Sequence, residues 1–447
     1  MNRRRALLLP ALLAGPRAPA QAQAPGAAQA VHGVAWQPPV ELASGPGERG
    51  PWQQNDSAYA FVDDPAVAFA GDGALLLAWV DQQRKAVLVQ RRSAQAAALG
   101  PAVPVDRDPQ RFSWLPRLAV PPDDPATVLV LWQEIIFSGG SHGGEMLLAR
   151  STDGGRSFTP PLNLSSSTGG DGKGRITPQV WHNGSCDLLA MPGGAVLATW
   201  TEYDGPLWAS RSSDGGRTFS RPLQLAGGGR RPAARAPSLA LAPDGTVWLA
   251  WTEGSRPGAD LQLARSGDGG RTFDRPRAVA PSPAFSDAPS LAVDARGVLH
   301  LAWAESGGGP FEAHRIQITR SADGGRSFEA PRVLTPTLPA PFVGAGYPVL
   351  AVDRSGTVLV ACELFEHPRQ RSRGIALLVS ADGGSQFGEP AVVPGSVDPD
   401  GGFNGSTQGL LMKKLALGPG GRVALVNSSL LEGRRSRVWL LPGRLAR

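Results

Sequence analysis

Two cysteines, three tyrosines and no long apolar run beyond the N-terminus set the first limits on this 447-residue chain. Cys186 and Cys362 are too few to staple a fold, and neither sits in a C-x-x-C or Cys/His spacing. Both read as buried small apolar residues, with a single disulfide as the alternative. The six histidines (His32, His142, His182, His300, His314, His367) show no ligand spacing, and no phosphate loop or Ser/His/Asp order is present. No metal and no other cofactor is expected. Past residue 24 nothing approaches the ~20 apolar residues that cross a bilayer, so no membrane span is expected in the mature chain.

Excess charge is also scarcer than it looks. The formal net charge is +6, but residues 1–24 hold four arginines and no acid, so it falls to +2 without them. The other arginines are spread along the chain, with a modest cluster at Arg434, Arg435 and Arg437. Nucleic acid is not an expected partner.

What is present begins with "MNRRRALLLPALLAGPRAPAQAQA". A basic start, a short apolar run and small-x-small sites at Ala22 and Ala24 read as a secretory signal over residues 1–24, so the protein is expected to be exported, periplasmic or extracellular. Arg4 and Arg5 before "ALLL" leave a twin-arginine route open. Residues 25–447 read as a single domain. Its 57 glycines and 42 prolines punctuate short apolar runs, a pattern of many strands and turns.

One motif recurs five times: "STDGGRSF" (Ser151 to Phe158), "SSDGGRTF" (Ser212 to Phe219), "SGDGGRTF" (Ser266 to Phe273), "SADGGRSF" (Ser321 to Phe328) and "SADGGSQF" (Ser380 to Phe387). Its aspartates, Asp153, Asp214, Asp268, Asp323 and Asp382, stand 61, 54, 55 and 59 residues apart, room for about four strands with their turns. Upstream lie hairpin signatures such as "APSLALAPDGTVWLAWTE" (Ala236 to Glu253), two apolar runs around an Asp-Gly turn. A third run enters the Asp-Gly-Gly turn and a fourth leaves it, so each unit reads as a four-stranded antiparallel sheet. In this reading Asp and Ser/Thr bond the turn backbone, glycine supplies positive φ, and Phe plugs the space between sheets.

Counting hairpins gives seven units, because "DPAVAFAGDGALLLAWVD" (Asp64 to Asp81) and "KKLALGPGGRVALVNS" (Lys413 to Ser428) each open one without the Asp motif. The last unit lacks a fourth strand, and "WQPPVEL" (Trp36 to Leu42) has the form of one. The expected fold is all-β: a β-propeller of four-stranded antiparallel blades, seven favoured over six, with the N-terminal strand closing the last blade.

The five motifs resemble the Asp box, or BNR repeat, of the sialidase superfamily, across essentially all of the mature chain. The resemblance implies a sialidase-like propeller and leaves activity open, because hydrolases, lyases, receptors and assembly factors share the box. Catalytic sialidases typically have six blades. In them an arginine cluster binds a carboxylate, a tyrosine beside a glutamate is the nucleophile and an aspartate is the acid/base. The ligand lies away from the Asp boxes, where first strands begin and second strands end.

At that end, Tyr347 in "GAGYPVL" resembles the family's tyrosine before the first strand of a late blade. The family's "R-I-P" is replaced by "DDP" (Asp63 to Pro65) and "WLP" (Trp114 to Pro116), leaving Arg117, Arg175 and Arg235 as a displaced arginine group. Second strands end in a recurring Trp-x-acid: Trp79 with Asp81, Trp132 with Glu134, Trp200 with Glu202, Trp251 with Glu253 and Trp303 with Glu305, while Cys362 replaces the tryptophan beside Glu363. Repetition favours a structural role, with Glu202 and Glu253 as acid candidates if there is chemistry. The loop Ser165 to Ser185, with Trp181 and His182, is the longest insertion and the favoured binding loop. "DPDGGFNG" (Asp398 to Gly405) begins like a calcium loop but has Gly409 where a glutamate is needed. The leading expectation is an exported propeller whose mouth recognises a glycan or another polar ligand without a complete hydrolytic set. The alternatives are an exo-acting glycoside hydrolase of sialidase type and a protein-assembly scaffold.

Overall fold

In the computed structural model, residues 29–31, 33–51, 53, 56–105, 110–136, 143–165, 185–202, 205–254, 257–309, 312–404 and 413–446 are described. They form seven radial sheets, a seven-bladed β-propeller with four-stranded antiparallel blades. Blades 1 to 6 span 62–104, 113–163, 186–226, 234–279, 285–333 and 344–392, and blade 7 is built on 415–445. Blades 1 to 6 are meanders whose first strand lies innermost and whose fourth is short and outermost.

Alternating side chains pack each sheet against both neighbours. One cluster joins Trp248, Leu261 and Leu263 of blade 4 to Leu291, Leu299 and Trp303 of blade 5, and equivalent clusters recur around the ring. The expected tryptophans, Trp79, Trp132, Trp200, Trp251 and Trp303, are all at most 1% exposed. At about 25 cal/mol per Å², such rings contribute several kcal/mol each, which is why blade contacts outweigh any single turn.

The Asp-Gly-Gly motifs form one repeated turn between third and fourth strands. Ser151 Oγ donates to Asp153 Oδ1 at 2.7 Å and accepts from the Gly155 amide at 2.8 Å. Asp153 Oδ1 also accepts the amides of Arg156 and Ser157, at 2.8 and 2.9 Å, and Oδ2 accepts the Ser157 hydroxyl at 2.6 Å. Asp214, Asp268 and Asp323 keep the hydroxyl bond, whereas at Asp382 Gln386 supplies only its amide. Phe158, Phe219, Phe273 and Phe328 each pack into the cluster between their own blade and the preceding one. The arginine ahead of the serine adds a stitch that the motif did not announce. Arg211 and Arg320, and Arg91 at the same register in blade 1, which lacks the motif, donate to the first glycine carbonyl of the next blade's turn (Gly269, Gly383 and Gly154) at 2.8, 2.9 and 3.1 Å.

The N-terminal segment closes the ring. Val40–Gly45 pairs with the third strand of blade 7, Arg435–Leu445, and Val34–Trp36 pairs with that strand's far end. Pro38 and Pro39 lack amide donors and interrupt the pairing between the two pieces, while the Gln37 amide still reaches Pro442 O at 2.8 Å. Cys186 and Cys362 are both buried free thiols.

Candidate functional site

A meander fixes which end of the ring can hold a site. The Asp-Gly-Gly turns crowd one end, so the starts of first strands and the ends of second strands meet at the other. There five of the seven first strands share a feature hidden in their sequences, a bulge at an X-Pro step. Asp64, Leu115, Ala236, Ala288 and Tyr347 precede Pro65, Pro116, Pro237, Pro289 and Pro348 and have φ of 52, 56, 55, 60 and 50°. Register breaks coincide with all five. Proline has no amide for the ladder, so the strand bulges there and re-aims the neighbouring side chains toward the axis. Five equivalent copies of a conformation disfavoured for side chains beyond glycine make it a property of the ring, not of one residue.

Just past the bulges the first strands hook onto one another. Asp64 Oδ2 accepts the Leu115 amide at 3.0 Å, Asp187 Oδ2 that of Leu239 at 2.7 Å, Ser238 Oγ that of Leu291 at 3.0 Å and Ser290 Oγ that of Leu350 at 2.9 Å. A central cavity of about 130 Å³ lies among the first strands, lined in part by Arg117, Asp187, Ser238, Ser290 and Lys413. Lys413 Nζ of the last blade reaches Asp187 Oδ1 of the third at 2.8 Å. Arg117 is 2% exposed, with Nε donating to Cys186 O at 3.0 Å. Its guanidinium is thus part of the channel wall.

Above the cavity, blades 4 to 7 bring a second group together. Arg235 and Asp287 occupy the same bulge position in neighbouring blades, which sets Arg235 Nε 2.8 Å from Asp287 Oδ1. Arg235 Nη1 donates to Gly254 O, and the guanidinium lies 4.9 Å from the Phe285 ring centroid. Nη2 is buried and has no hydrogen-bond partner among the described residues. Tyr347 follows in the next blade, its ring 6.1 Å from that of Phe365. Burial pushes its phenol well above the usual range, the Asp287 and Glu363 carboxylates add to this, and Arg235 opposes it. The hydroxyl therefore keeps its proton at neutral pH. Glu363 is buried and bonded by Lys414 Nζ and Ser372 Oγ, which ties blade 6 to blade 7. His314, packed edge-on to Phe285 at 6.0 Å, is held neutral by burial, against the pull of Asp287.

Of the residues singled out in the sequence, Arg235 and Tyr347 thus stand at the same bulge in blades 4 and 6, with Asp287 of blade 5 between them, and Arg117 lies in the channel wall. Glu253 ends the second strand of blade 4, where burial raises its pKa and Arg231 opposes the shift. Glu202 follows the second strand of blade 3 and accepts the Gly205 amide on its carbonyl at 2.9 Å. The carboxylates that bear on Tyr347 are instead Asp287 and Glu363. Arg175, Trp181 and His182 lie outside the described residues. The Trp-acid pairs are bonded in two blades, Trp132 to Glu134 at 3.1 Å and Trp303 to Glu305 at 3.5 Å. In the calcium-like loop, Asp398 is engaged by Ser429, Arg435 and Arg437 at 2.7, 3.0 and 2.9 Å. Burial works against its charge, but the Ser429 hydroxyl, the Asp400 amide and Arg437 hold its pKa at about 2.

Sequence reasoning missed Asp287, Lys414 and the Asp187–Lys413 pair. A signal for the first was available: "DDP", "WLP", "RAP", "DAP" and "GYP" align as one bulge, which places Arg235, Asp287 and Gly346 at equivalent positions.

No family model matches the chain, and no curated protein matches it. Solved structures do. A polysaccharide lyase aligns at TM-score 0.55 and 10% identity, over 86% of this chain and 90% of the other. The α-L-arabinanase of Penicillium chrysogenum, complexed with arabinobiose, aligns at TM-score 0.50 and 14% identity, over 73% and 92%. A Hadza microbial sialidase aligns at TM-score 0.42 and 18% identity, over 75% and 66%. At such identities the likeness is one of fold. The chain is a seven-bladed β-propeller with a polar, partly aromatic mouth at the end opposite its Asp-Gly-Gly turns.

Proposed function

We propose that this is an exported, sialidase-like propeller that recognises a glycan at its mouth and does not release sialic acid. The observation that carries the reading is the Arg235–Asp287–Tyr347 group. A sialidase needs arginine charge to spare for a substrate carboxylate and a phenol that can surrender its proton. Here Asp287 already engages the guanidinium, and Tyr347 is pushed toward its protonated form. A buried guanidinium nitrogen without a partner among the described residues, at the same end of the ring as the half-buried rings of Tyr347 and Phe365, supports recognition instead. The fold shared with a polysaccharide lyase and an arabinanase supports a carbohydrate as the ligand class. Export is supported by residues 1–24.

The test pairs turnover with binding. A fluorogenic sialoside should yield no sialic acid, and a glycan array should give saturable binding that Arg235→Ala reduces. Turnover that disappears in both Tyr347→Phe and Arg235→Ala would establish the hydrolase instead. Neither turnover nor binding would leave the scaffold reading.

A further inference from the structure

Resting on that reading, we infer that the ligand of the Arg235–Asp287–Tyr347 group is an uncharged, hydroxyl-rich sugar, and that Asp287 is the residue that excludes acidic ones. Three cations at the axial end of the mouth each have a carboxylate partner: Arg235 with Asp287 at 2.8 Å, Lys413 with Asp187 at 2.8 Å, and Lys414 with Glu363. The two carboxylates that bear on Tyr347 further oppose a second anion beside it. An acidic sugar placed against Arg235 would set its carboxylate next to that of Asp287, with much of the surrounding water removed, where like charges repel most strongly.

Hydrogen-bond chemistry points the same way. Arg235 Nη2 is a buried donor without an acceptor among the described residues, on a side chain only 11% exposed. Asp287, an acceptor with 22% of its side chain exposed, stands beside it. A sugar hydroxyl is donor and acceptor at once, so it can accept a hydrogen bond from Arg235 and donate one to Asp287. A carboxylate offers acceptors only and would leave Asp287 facing a second anion. The half-buried rings of Tyr347 and Phe365, 6.1 Å apart at the same end of the ring in blade 6, provide an apolar surface for the C–H face of a pyranose or furanose.

The experiment uses the full chain on an array of neutral oligosaccharides and their acidic counterparts, including lactose beside sialyllactose and a neutral galactan beside oligogalacturonate. Hits are followed by titration calorimetry at low and high salt. Neutral members should bind at least about tenfold more tightly than their acidic counterparts, with little dependence on salt. Asp287→Asn keeps the side-chain shape and removes the charge, so it should narrow or invert that ratio. Arg235→Lys should weaken neutral binding, because the ammonium cannot reproduce the Nη2 donor. Thermal melts of both variants report whether the ring is still folded. An acidic preference in the wild type, or an Asp287→Asn ratio unchanged in a folded protein, would overturn the neutral-sugar inference and leave glycan recognition standing. Absence of binding to every glycan would overturn both.

Discussion

Asp63 offers a test of how this ring manages charge at its closure. Its carboxyl sits on the first strand of blade 1, accepts the Ser428 hydroxyl of blade 7 and is followed directly by Asp64. Burial, and then the neighbouring Asp64 charge, push its pKa from 3.8 to about 7, with Ser428 and Lys414 opposing. A carboxyl raised in the folded state contributes most below its unfolded pKa, and that contribution is lost as pH climbs through the folded value. From 3.8 to about 7 the difference corresponds to about 4 kcal/mol, which is an upper bound. Asp63→Asn, of the same shape, should therefore be close to wild type near pH 4 and more stable by about 2–4 kcal/mol near pH 8. The assay is urea unfolding of both proteins across that range. The difference between them is the quantity to follow, because His300 and His314, held neutral by burial, have the opposite pH dependence and act in both proteins. A stability difference that stays constant from pH 4 to pH 8 would refute the buried-carboxyl argument.

Other expectations follow from single contacts. Asp153→Ala removes the acceptor for two amides and two hydroxyls in an exposed turn, so urea unfolding should show a loss of about 1–2 kcal/mol, with glycan binding unchanged once folded. Burial opposes the Asp153 charge, but its hydrogen bonds hold the pKa at about 2, so the wild-type advantage should be present above about pH 4 and fade as pH falls toward 2. Deleting residues 34–45 leaves Arg435–Leu445 with an open edge, and light scattering should report aggregation; an unchanged monomer would count against closure by this segment. Lys414→Met strands the buried Glu363 carboxylate and should cost about 3–5 kcal/mol, most of it recovered in the double variant Lys414→Met/Glu363→Gln.

Much of the architecture was local in origin and therefore legible. Five Asp-Gly-Gly turns at blade-length intervals, hairpins around Asp-Gly, and "WQPPVEL" as the missing outer strand each rest on residues a few positions apart, so spacing alone placed them. Thus the sequence determined the four-stranded repeat, its seven copies and the closure by the N-terminal segment, though the register of the closing strands, split by Pro38 and Pro39, emerged only in pairing with Arg435–Leu445. The site was legible only in part. Tyr347 and Arg235 could be picked out as residues at the right end of a strand, but 112 positions separate them, and nothing local says that Asp287 stands between them. The tertiary structure decided that, as it decided that Lys414 meets Glu363 and that Lys413 reaches Asp187 across the axis. The physical reason is that a turn is specified by hydrogen bonds within four residues, whereas the protonation of a phenol or the spare charge of a guanidinium is set by burial and by carboxylates carried in on other blades.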